Sequence, residues 1–310
     1  MTQKPIVFID NFPHKFLGGG ELYLFALANV LSELGFSLAF VGQKQSAFLD
    51  EAYNYSDHVL ALDFSKNKPF EVKKSMQAFF KETFGDTPLI IQGAGFYSNL
   101  LGALAKDTNA HTLIHTQQIE VEALKKSSSL RAKLDSFSRS LVRKMQNPKV
   151  DAYLCVSKLI ASQLEAVGVD KEKITVIHPG LPFDQYEARQ NLLEKLPLIA
   201  RFDAYPVIGY LGRLESVKGL SVLLDAYREF FQTHPKSLLA IAGEGSLKDE
   251  LIAQAEAFGE DIASRILFLG YQDAQEFLSS IDIFVMPSLS EGLNISVLQA
   301  FALKVPVIAS

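Results

Sequence analysis

Along most of this chain, short runs of consecutive apolar residues alternate with segments whose apolar residues recur with the period of a helix. Short apolar runs such as Pro5–Asp10 and Val207–Gly212 have the continuous apolar character of strands buried on both faces. Between such runs, segments such as Leu220–Phe231 place apolar residues on one side of a helix. This alternation predicts an α/β protein built on mostly parallel, doubly wound sheets.

The same reasoning extends over the rest of the chain. Further strands are predicted at residues 37–42, 58–64, 88–93, 110–116, 150–157, 174–180, 237–243, 265–270, 283–286 and 305–310. Further helices are predicted at residues 21–34, 70–84, within 117–145, up to 167, at 246–258, at 273–280 and from about 294.

The alternation stops between Leu181 and Pro206, where periodicity is weak and prolines and charges accumulate. We therefore predict an N-terminal Rossmann-like domain at 1–185, a connection at 186–205 and a second Rossmann-like domain at 206–310. Ligands of two-domain α/β proteins bind preferentially at domain interfaces, so the active cleft is expected between the two.

Composition narrows the class of protein. Of 310 residues, 48% are hydrophobic and 21% are charged, which supports a sizeable core and argues against disorder. The formal net charge of −5 gives no dominant basic field, so nucleic acid is not an expected partner. The single cysteine, Cys155, lies in an apolar run and is expected to be a buried hydrophobe. No signal peptide or membrane span is recognisable, and we expect a cytoplasmic protein.

The closing stretch, residues 281–310, carries the clearest candidate chemistry. A short buried strand ends at Met286, and the turn that follows holds Glu291 and Gly292 before a helix begins near Asn294. Ligands of open α/β sheets bind beyond the carboxyl ends of the strands, and helix N-termini favour anions. Glu291 is therefore well placed for ligand chemistry.

Two cations occupy a comparable position earlier in the chain. Arg213 and Lys218 lie after a predicted strand and before a predicted helix, where they would suit a diphosphate. The competing interpretation, two solvated loop charges, is the more common one for such residues in isolation.

Two glycine clusters follow strands. Gly18–Gly20 lies between the first strand and its helix, and Gly243 opens the Gly-Glu-Gly turn after residues 237–242. Glycines let backbone amides approach a phosphate or sugar closely. The spacing is not the dinucleotide fingerprint, so a nicotinamide cofactor is not supported. Flexible or tight turns explain both clusters equally well.

Other candidates are weaker. His115, which we place at the end of a strand, could hold a reacting group, although a structural histidine is the more common case. No Asp-x-Asp pair, zinc spacing or serine elbow appears, so no metal site is predicted. Residues 130–145 are amphipathic with a basic face. This pattern fits either peripheral docking on an anionic membrane surface or, more commonly, a core-packed helix.

Together these segments resemble the retaining GT-B glycosyltransferases of family 4. The resemblance covers nearly the whole chain and is carried by FLGGGELYLFALANVL, CVSKLIASQL, VIHPGLPFDQY, GYLGRLESVKGL, LLAIAGEGSL, ILFLGYQ and FVMPSLSEGLNISVLQAFALKVPVIAS. The order and spacing of these motifs along two Rossmann-like halves make the match specific at the level of the family.

The resemblance implies a hexosyltransferase-type enzyme that moves a sugar from a nucleotide-sugar donor to a carbohydrate or lipid-linked acceptor, with retention and without a metal or cofactor. It implies catalytic roles near the sugar for Glu291 and His115. It implies donor-binding roles for Gly19, Gly20, Arg213, Lys218, Gly243, Tyr271, Gln272, Gly292, Leu293, Asn294 and Gln299. The acceptor would bind the N-terminal half, and the enzyme would work in the cytoplasm or at the inner face of the membrane.

Two departures from the family pattern suggest alternatives. Gln299 stands where the family has a second glutamate, which weakens the expected hydrogen bonds to the donor ribose. The family pattern also continues beyond Ser310 with a glycine-rich loop and further helices, so the second domain is expected to be incomplete. A catalytically impaired homologue that acts as a binding or partner subunit is the first alternative. A nucleotide-sugar epimerase on the same fold is a weaker one.

Overall fold

A computed structural model describes residues 3–13, 15–106, 110–118, 147–181 and 196–310. The chain divides into two compact units, Met1–Pro179 and Gly180–Ser310. Within the predicted connection, residues 186–195 lie outside the described residues. The remainder is folded into the second unit, because Ile199 is buried in the core of that unit.

Within its described residues, the first unit forms one sheet of seven parallel strands. In chain order the strands β1 to β7 are Ile6–Asp10, Leu38–Gln43, Val59–Leu62, Ile90–Ala94, Thr112–Gln117, Ala152–Cys155 and Ile174–Val176. Their spatial order is β3-β2-β1-β4-β5-β6-β7. The direction of winding therefore reverses between β1 and β4, the position at which doubly wound sheets bind ligands.

Helices of the first unit connect these strands. The helices α1 to α5 are Gly19–Glu33, Ala47–Ala52, Pro69–Phe84, Phe96–Ala105 and Lys158–Ala166. Short 3₁₀ turns cover Asn147–Lys149 and Lys171–Lys173. Helix α3 begins as its sequence suggests, with Pro69 in the first turn and the Glu71 carboxylate accepting the Lys68 N–H at 3.0 Å.

In the second unit, the part of the chain that the structure describes forms a smaller sheet of five parallel strands. The strands β8 to β12 are Val207–Leu211, Leu238–Ala242, Ile266–Gly270, Ile283–Met286 and Val307–Ala309. Their order, β10-β9-β8-β11-β12, reverses winding between β8 and β11. The predicted fold class, two Rossmann-like doubly wound sheets, is confirmed.

Helices of the second unit flank this sheet. The helices α6 to α11 are Pro197–Ala200, Leu220–Phe231, Lys248–Glu256, Glu260–Ala263, Ala274–Leu278 and Ile295–Ala302. A 3₁₀ turn covers Ser216–Lys218. Helix α7 buries Leu220, Leu223, Leu224 and Tyr227, the face that its hydrophobic period predicts.

Helices α2 and α4 were not predicted from the pattern. Helix α4 begins after Gly95, whose φ is +110°, and contains Gly102 in its interior. Glycine disfavours helix when only local preferences count. Here a Cβ on Gly102 would lie 2.9 Å from Leu113 Cδ1, so the glycine lets α4 pack closely on β5. Tertiary packing therefore outweighs the local preference.

The amphipathic segment at 130–145 lies outside the described residues, and its membrane or core role stays a prediction. Among the helices that the structure does describe, none combines the length and hydropathy needed to cross a bilayer.

A buried carboxyl group lies at the carboxyl end of β1. Asp10 is 2% exposed, and its Oδ2 accepts the Phe12 N–H at 3.1 Å. Burial and then the negative charge of Glu21 raise the pKa of Asp10 to about 7. Glu21 belongs to the first turn of α1 and is itself buried.

Substitution Asp10→Asn tests this burial. Between about pH 4 and pH 7 the folded chain holds the Asp10 proton while the unfolded chain releases it, so wild-type stability falls as pH rises through this window. We expect Asp10→Asn to raise Tm by several degrees at pH 8, because the neutral amide avoids burying a charge. At pH 5 the difference in Tm should be smaller, because only the first part of this loss has then occurred in the wild type. Thermal unfolding monitored by circular dichroism at both pH values measures the difference, and equal Tm shifts at pH 5 and pH 8 would contradict the assignment.

Candidate functional site

Two loops meet where the second sheet reverses its winding. One follows β8 and carries residues 212–219, and the other follows β11 and carries residues 287–294. Strands β8 and β11 are direct neighbours in the sheet, with Ile283 beside Ile208. The Leu289 N–H donates to the Val217 carbonyl at 2.8 Å and joins the loops.

Lys218 and Glu291 form an ion pair across these loops. The Lys218 ammonium donates to Glu291 Oε1, although the two residues are 73 positions apart in the sequence. Their side chains are 13% and 27% exposed, so the pair is largely sheltered from water. The structure thus brings together two of the residues that the sequence proposed for one site.

Glu291 is held through one of its two oxygens. Oε1 accepts hydrogen bonds from Lys218 Nζ, from Ser288 Oγ at 2.7 Å and from Asn294 Nδ2 at 3.0 Å. Oε2 accepts no hydrogen bond from the described residues. The carboxylate is therefore fixed in orientation while one oxygen remains available to a ligand.

Gly219 permits the close approach of the two loops. Its φ of +65° lies in the left-handed region, and a Cβ there would be only 2.1 Å from the Pro287 carbonyl oxygen. Gly219 also begins helix α7. Only glycine combines this conformation with this contact, so the Lys218–Glu291 pair depends on it.

Arg213 lies at the rim of the same site. Its carbonyl accepts the Tyr210 hydroxyl at 2.8 Å, which anchors the backbone. Its guanidinium is exposed and makes no hydrogen bond or ion pair within the described part of the chain. Nearby, hydrogen bonding from Ser246 and the charge of Arg213 lower the pKa of Glu215 despite partial burial. Arg213 thus offers a fixed backbone and an available cation.

The start of helix α11 completes the loop after β11. Asn294 caps this helix, and its Oδ1 accepts the backbone N–H groups of Ser296 at 2.8 Å and Val297 at 3.3 Å. The preceding N–H groups of Gly292 and Leu293 donate to no described residue. They are the backbone donors that this turn can offer to an anion.

Gly243 has a structural explanation. Its φ is +136°, and a Cβ would lie 1.9 Å from the Gly212 carbonyl oxygen. Its N–H donates to the Gly270 carbonyl at 2.7 Å and is therefore already used. The tight-turn interpretation accounts for Gly243 fully, while its donor-binding role stays a prediction.

The remaining donor-binding candidates of the second unit lie in the turn after β10 and within α11. Tyr271 is half exposed directly after β10, and partial burial raises its pKa. The side chain of Gln272 donates to the Leu269 carbonyl at 2.8 Å, which fixes the turn. Gln299 is 6% exposed within α11. Their roles toward a nucleotide stay predictions.

The glycine turn of the first unit is the start of helix α1. Glu21 Oε2 accepts the Gly18 N–H at 3.0 Å and caps the helix. A Cβ on Gly20 would be 3.2 Å from Gln118 Oε1, so Gly20 lies close to the end of β5. Gly19 is exposed in the first turn. These glycines lie at the carboxyl ends of strands, as a ligand-binding turn would.

The placement of His115 at the end of its strand was wrong. Strand β5 continues to Gln117, because Thr116 and Gln117 keep their register with Leu154 and Cys155 of β6. His115 is 3% exposed, its Nε2 lies 3.1 Å from the Asn99 carbonyl, and its ring contacts Tyr153 edge-on at 5.3 Å. This environment matches the structural interpretation, and a catalytic role for His115 stays a prediction.

Sequence reasoning missed Ser288, Asp10 and Glu21. Ser288 lies two residues after the end of β11, the strand that also precedes Glu291. Asp10 ends the first apolar run. Ser288 and Asp10 therefore carried the signal of a polar residue at the carboxyl end of a strand, whereas Glu21 lies in the first turn of α1. Within the described residues, no group of three or more His, Cys, Asp or Glu side chains is placed to hold a metal ion.

Comparisons with known proteins agree with this architecture. A family model described as Glycosyltransferase Family 4 matches residues 17–185, more than half of the chain, and one described as Glycosyl transferases group 1 matches residues 205–310. A D-inositol 3-phosphate glycosyltransferase from Mycobacterium sp. (strain KMS) is 25% identical over 234 residues, which cover 71% of this chain and 51% of that protein. The chain thus spans about half the length of the curated mycobacterial relatives that it matches.

A second relative is a GDP-mannose-dependent monoacylated alpha-(1-6)-phosphatidylinositol monomannoside mannosyltransferase from Corynebacterium glutamicum. It is 33% identical over 152 residues, covering 46% of this chain and 36% of that protein.

Solved structures share the fold at lower identity. Anabaena HepE in complex with UDP and glucose superposes with a TM-score of 0.77 at 20% identity, covering 99% of this chain and 80% of that one. Sucrose-phosphate synthase from Thermosynechococcus elongatus gives a TM-score of 0.75 at 20% identity, covering 99% and 81%. The chain, with its two parallel doubly wound sheets, belongs to glycosyltransferase family 4.

Proposed function

We propose that this chain acts as a glycosyltransferase that moves a sugar from a nucleotide-sugar donor to a hydroxyl of a carbohydrate or lipid-linked acceptor. The observation that carries the proposal is the Lys218–Glu291 pair at the point where the second sheet reverses its winding. A cation and a carboxylate fixed side by side suit the two parts of such a donor, its diphosphate and its sugar hydroxyls.

The charge of each side chain indicates which part of the donor it contacts. Arg213 and Lys218 offset the negative charge that develops on the leaving phosphate, and the N–H groups of Gly292 and Leu293 add neutral donors. Glu291 Oε2 accepts from a sugar hydroxyl. Since these groups supply the charge that the diphosphate needs, the proposed transfer requires no metal and no cofactor.

The proposed transfer retains anomeric configuration. The bond between the sugar C1 and the phosphate oxygen breaks, and the acceptor oxygen forms its bond to C1 on the same face. The acceptor proton passes to an oxygen of the leaving phosphate, so no protein nucleophile is needed. The first unit is the proposed source of acceptor contacts, while Gly19 and Gly20 in its glycine turn keep their proposed role toward the donor.

Relatives suggest which donors to test first. HepE has been solved with UDP and with UDP-glucose, and the corynebacterial relative is GDP-mannose-dependent. A uridine or guanosine diphosphate sugar is accordingly the first choice for this chain.

Gln299 favours a second function, a homologue that binds a donor without efficient turnover. The side chain at this position is buried and neutral. It loses the charge with which a carboxylate would accept from a ribose. The two functions differ in one measurable respect, because both require nucleotide binding but only the first requires release of nucleoside diphosphate.

Calorimetric titration with UDP and with GDP tests the donor site. We expect binding by the wild-type protein and an affinity at least tenfold weaker for Arg213→Ala, about 1.4 kcal/mol, because the diphosphate loses a cation. Lys236→Ala is the matched control, since it removes an exposed cation beside the amino-terminal start of β9. Equal losses in both variants would mean a general effect of charge, and no binding to the folded wild type would overturn the proposal.

Turnover is tested by release of nucleoside diphosphate from UDP-glucose and GDP-mannose in the presence of mixed sugar and lipid acceptors. We expect release to continue in EDTA and kcat to fall about tenfold or more in Glu291→Gln. NMR of the product anomeric proton tests retention. Binding without release would favour the second function, and loss of activity in EDTA would contradict metal independence.

A further inference from the structure

The hydrogen bonds of Glu291 come from two kinds of donor. Lys218 supplies a charged ammonium, whereas Ser288 and Asn294 supply a neutral hydroxyl and a neutral amide. All three converge on the same oxygen. One donor would suffice to orient the carboxylate, so the neutral pair requires its own explanation.

In the proposed function, the Lys218 ammonium interacts with two groups, the Glu291 carboxylate and the donor diphosphate. It pairs with Glu291 in this structure, and in the proposed function it also faces the donor diphosphate. A lysine can make this change because its ammonium sits on a flexible four-carbon stem and has three donors. Glu291 would then lose its cation while still partly buried, and a carboxylate left without donors in such a place is costly.

We propose that Ser288 and Asn294 are positioning residues that keep the Glu291 carboxylate in place when Lys218 transfers to the donor diphosphate. The inference rests on the proposed function and goes beyond it. It assigns the recognition of the donor sugar, as distinct from its diphosphate, to the orientation that these two neutral side chains give to Glu291 Oε2.

Both neutral donors are anchored independently of Lys218. Ser288 is 5% exposed, and its carbonyl accepts the Ser310 hydroxyl at 2.8 Å. Its hydroxyl proton has the Met286 sulfur at 3.2 Å as its other acceptor, which is the weaker one. Asn294 is fixed because its Oδ1 caps helix α11 while its Nδ2 faces Glu291. Neither side chain needs to move when the ammonium leaves.

The substitutions Asn294→Ser and Ser288→Ala separate positioning from stability. Serine is as good a helix cap as asparagine, so Asn294→Ser keeps the start of α11 and removes only the Nδ2 donor. Asn29→Ser is the matched control, since Asn29 Nδ2 donates at 3.0 Å to the surface carboxylate of Glu33. It removes the same kind of bond far from this loop in the sequence.

Calorimetry compares UDP with UDP-glucose, and GDP with GDP-mannose, for each protein. We expect Asn294→Ser and Ser288→Ala to bind the nucleoside diphosphate within about threefold of wild type and the nucleotide sugar about tenfold more weakly. The double variant should lose more, and Asn29→Ser should match wild type. Equal weakening of diphosphate and nucleotide sugar, or no weakening of either, would overturn the inference.

A crystal structure of unliganded Lys218→Met tests the positioning without any nucleotide. We expect Glu291 Oε1 to stay within hydrogen-bond distance of Ser288 Oγ and Asn294 Nδ2. A Glu291 side chain turned away from both would overturn the inference even if wild type binds donors. Absence of nucleotide binding by the wild type would instead overturn the proposed function and, with it, the role of these residues in donor recognition.

Discussion

The pairing of β8 with β11 is the constraint on which the candidate site depends. These two strands are not consecutive in the sequence, and between them the winding of the second sheet reverses. Their carboxyl ends therefore open side by side without a helix between them. Lys218 follows one strand and Glu291 follows the other. The pairing of these strands therefore brings two residues that are 73 positions apart in the sequence into a direct ion pair.

Close contacts between backbone segments fix the positions of the loops that form the candidate site. A side chain at Gly219 would collide with the Pro287 carbonyl, and one at Gly243 with the Gly212 carbonyl. The loops after the strands thus pack on one another rather than projecting separately into solvent. Neutral donors from Ser288 and Asn294 then fix the carboxylate that this packing brings to Lys218. The residues that fix the carboxylate are thus distinct from the residue that supplies the cation.

The first unit also places polar side chains where the winding of its sheet reverses, but the residues differ. Its winding reverses between β1 and β4, and the buried carboxyl of Asp10 lies at the end of β1 beneath the turn that Glu21 caps. Burying a carboxyl there costs stability progressively as pH rises from about 4 to about 7, the raised pKa of Asp10. His115, by contrast, lies within β5 among packed side chains. Position along a strand, rather than residue type, separates these two environments.

Hydrophobic period and polar strand ends are local signals, so the fold class, most strands and the candidates Arg213, Lys218 and Glu291 could be predicted from the amino-acid sequence. It did not determine helix α4, whose Gly95 and Gly102 disfavour a helix locally but allow close packing on the sheet. It also misplaced His115, since the end of a strand depends on a neighbour that pairs with it. The contact of Lys218 with Glu291, and the convergence of Ser288 and Asn294 on the same oxygen, became visible only in the folded chain. Such convergence depends on which strands are neighbours, and that is a property of the whole sheet rather than of any one segment.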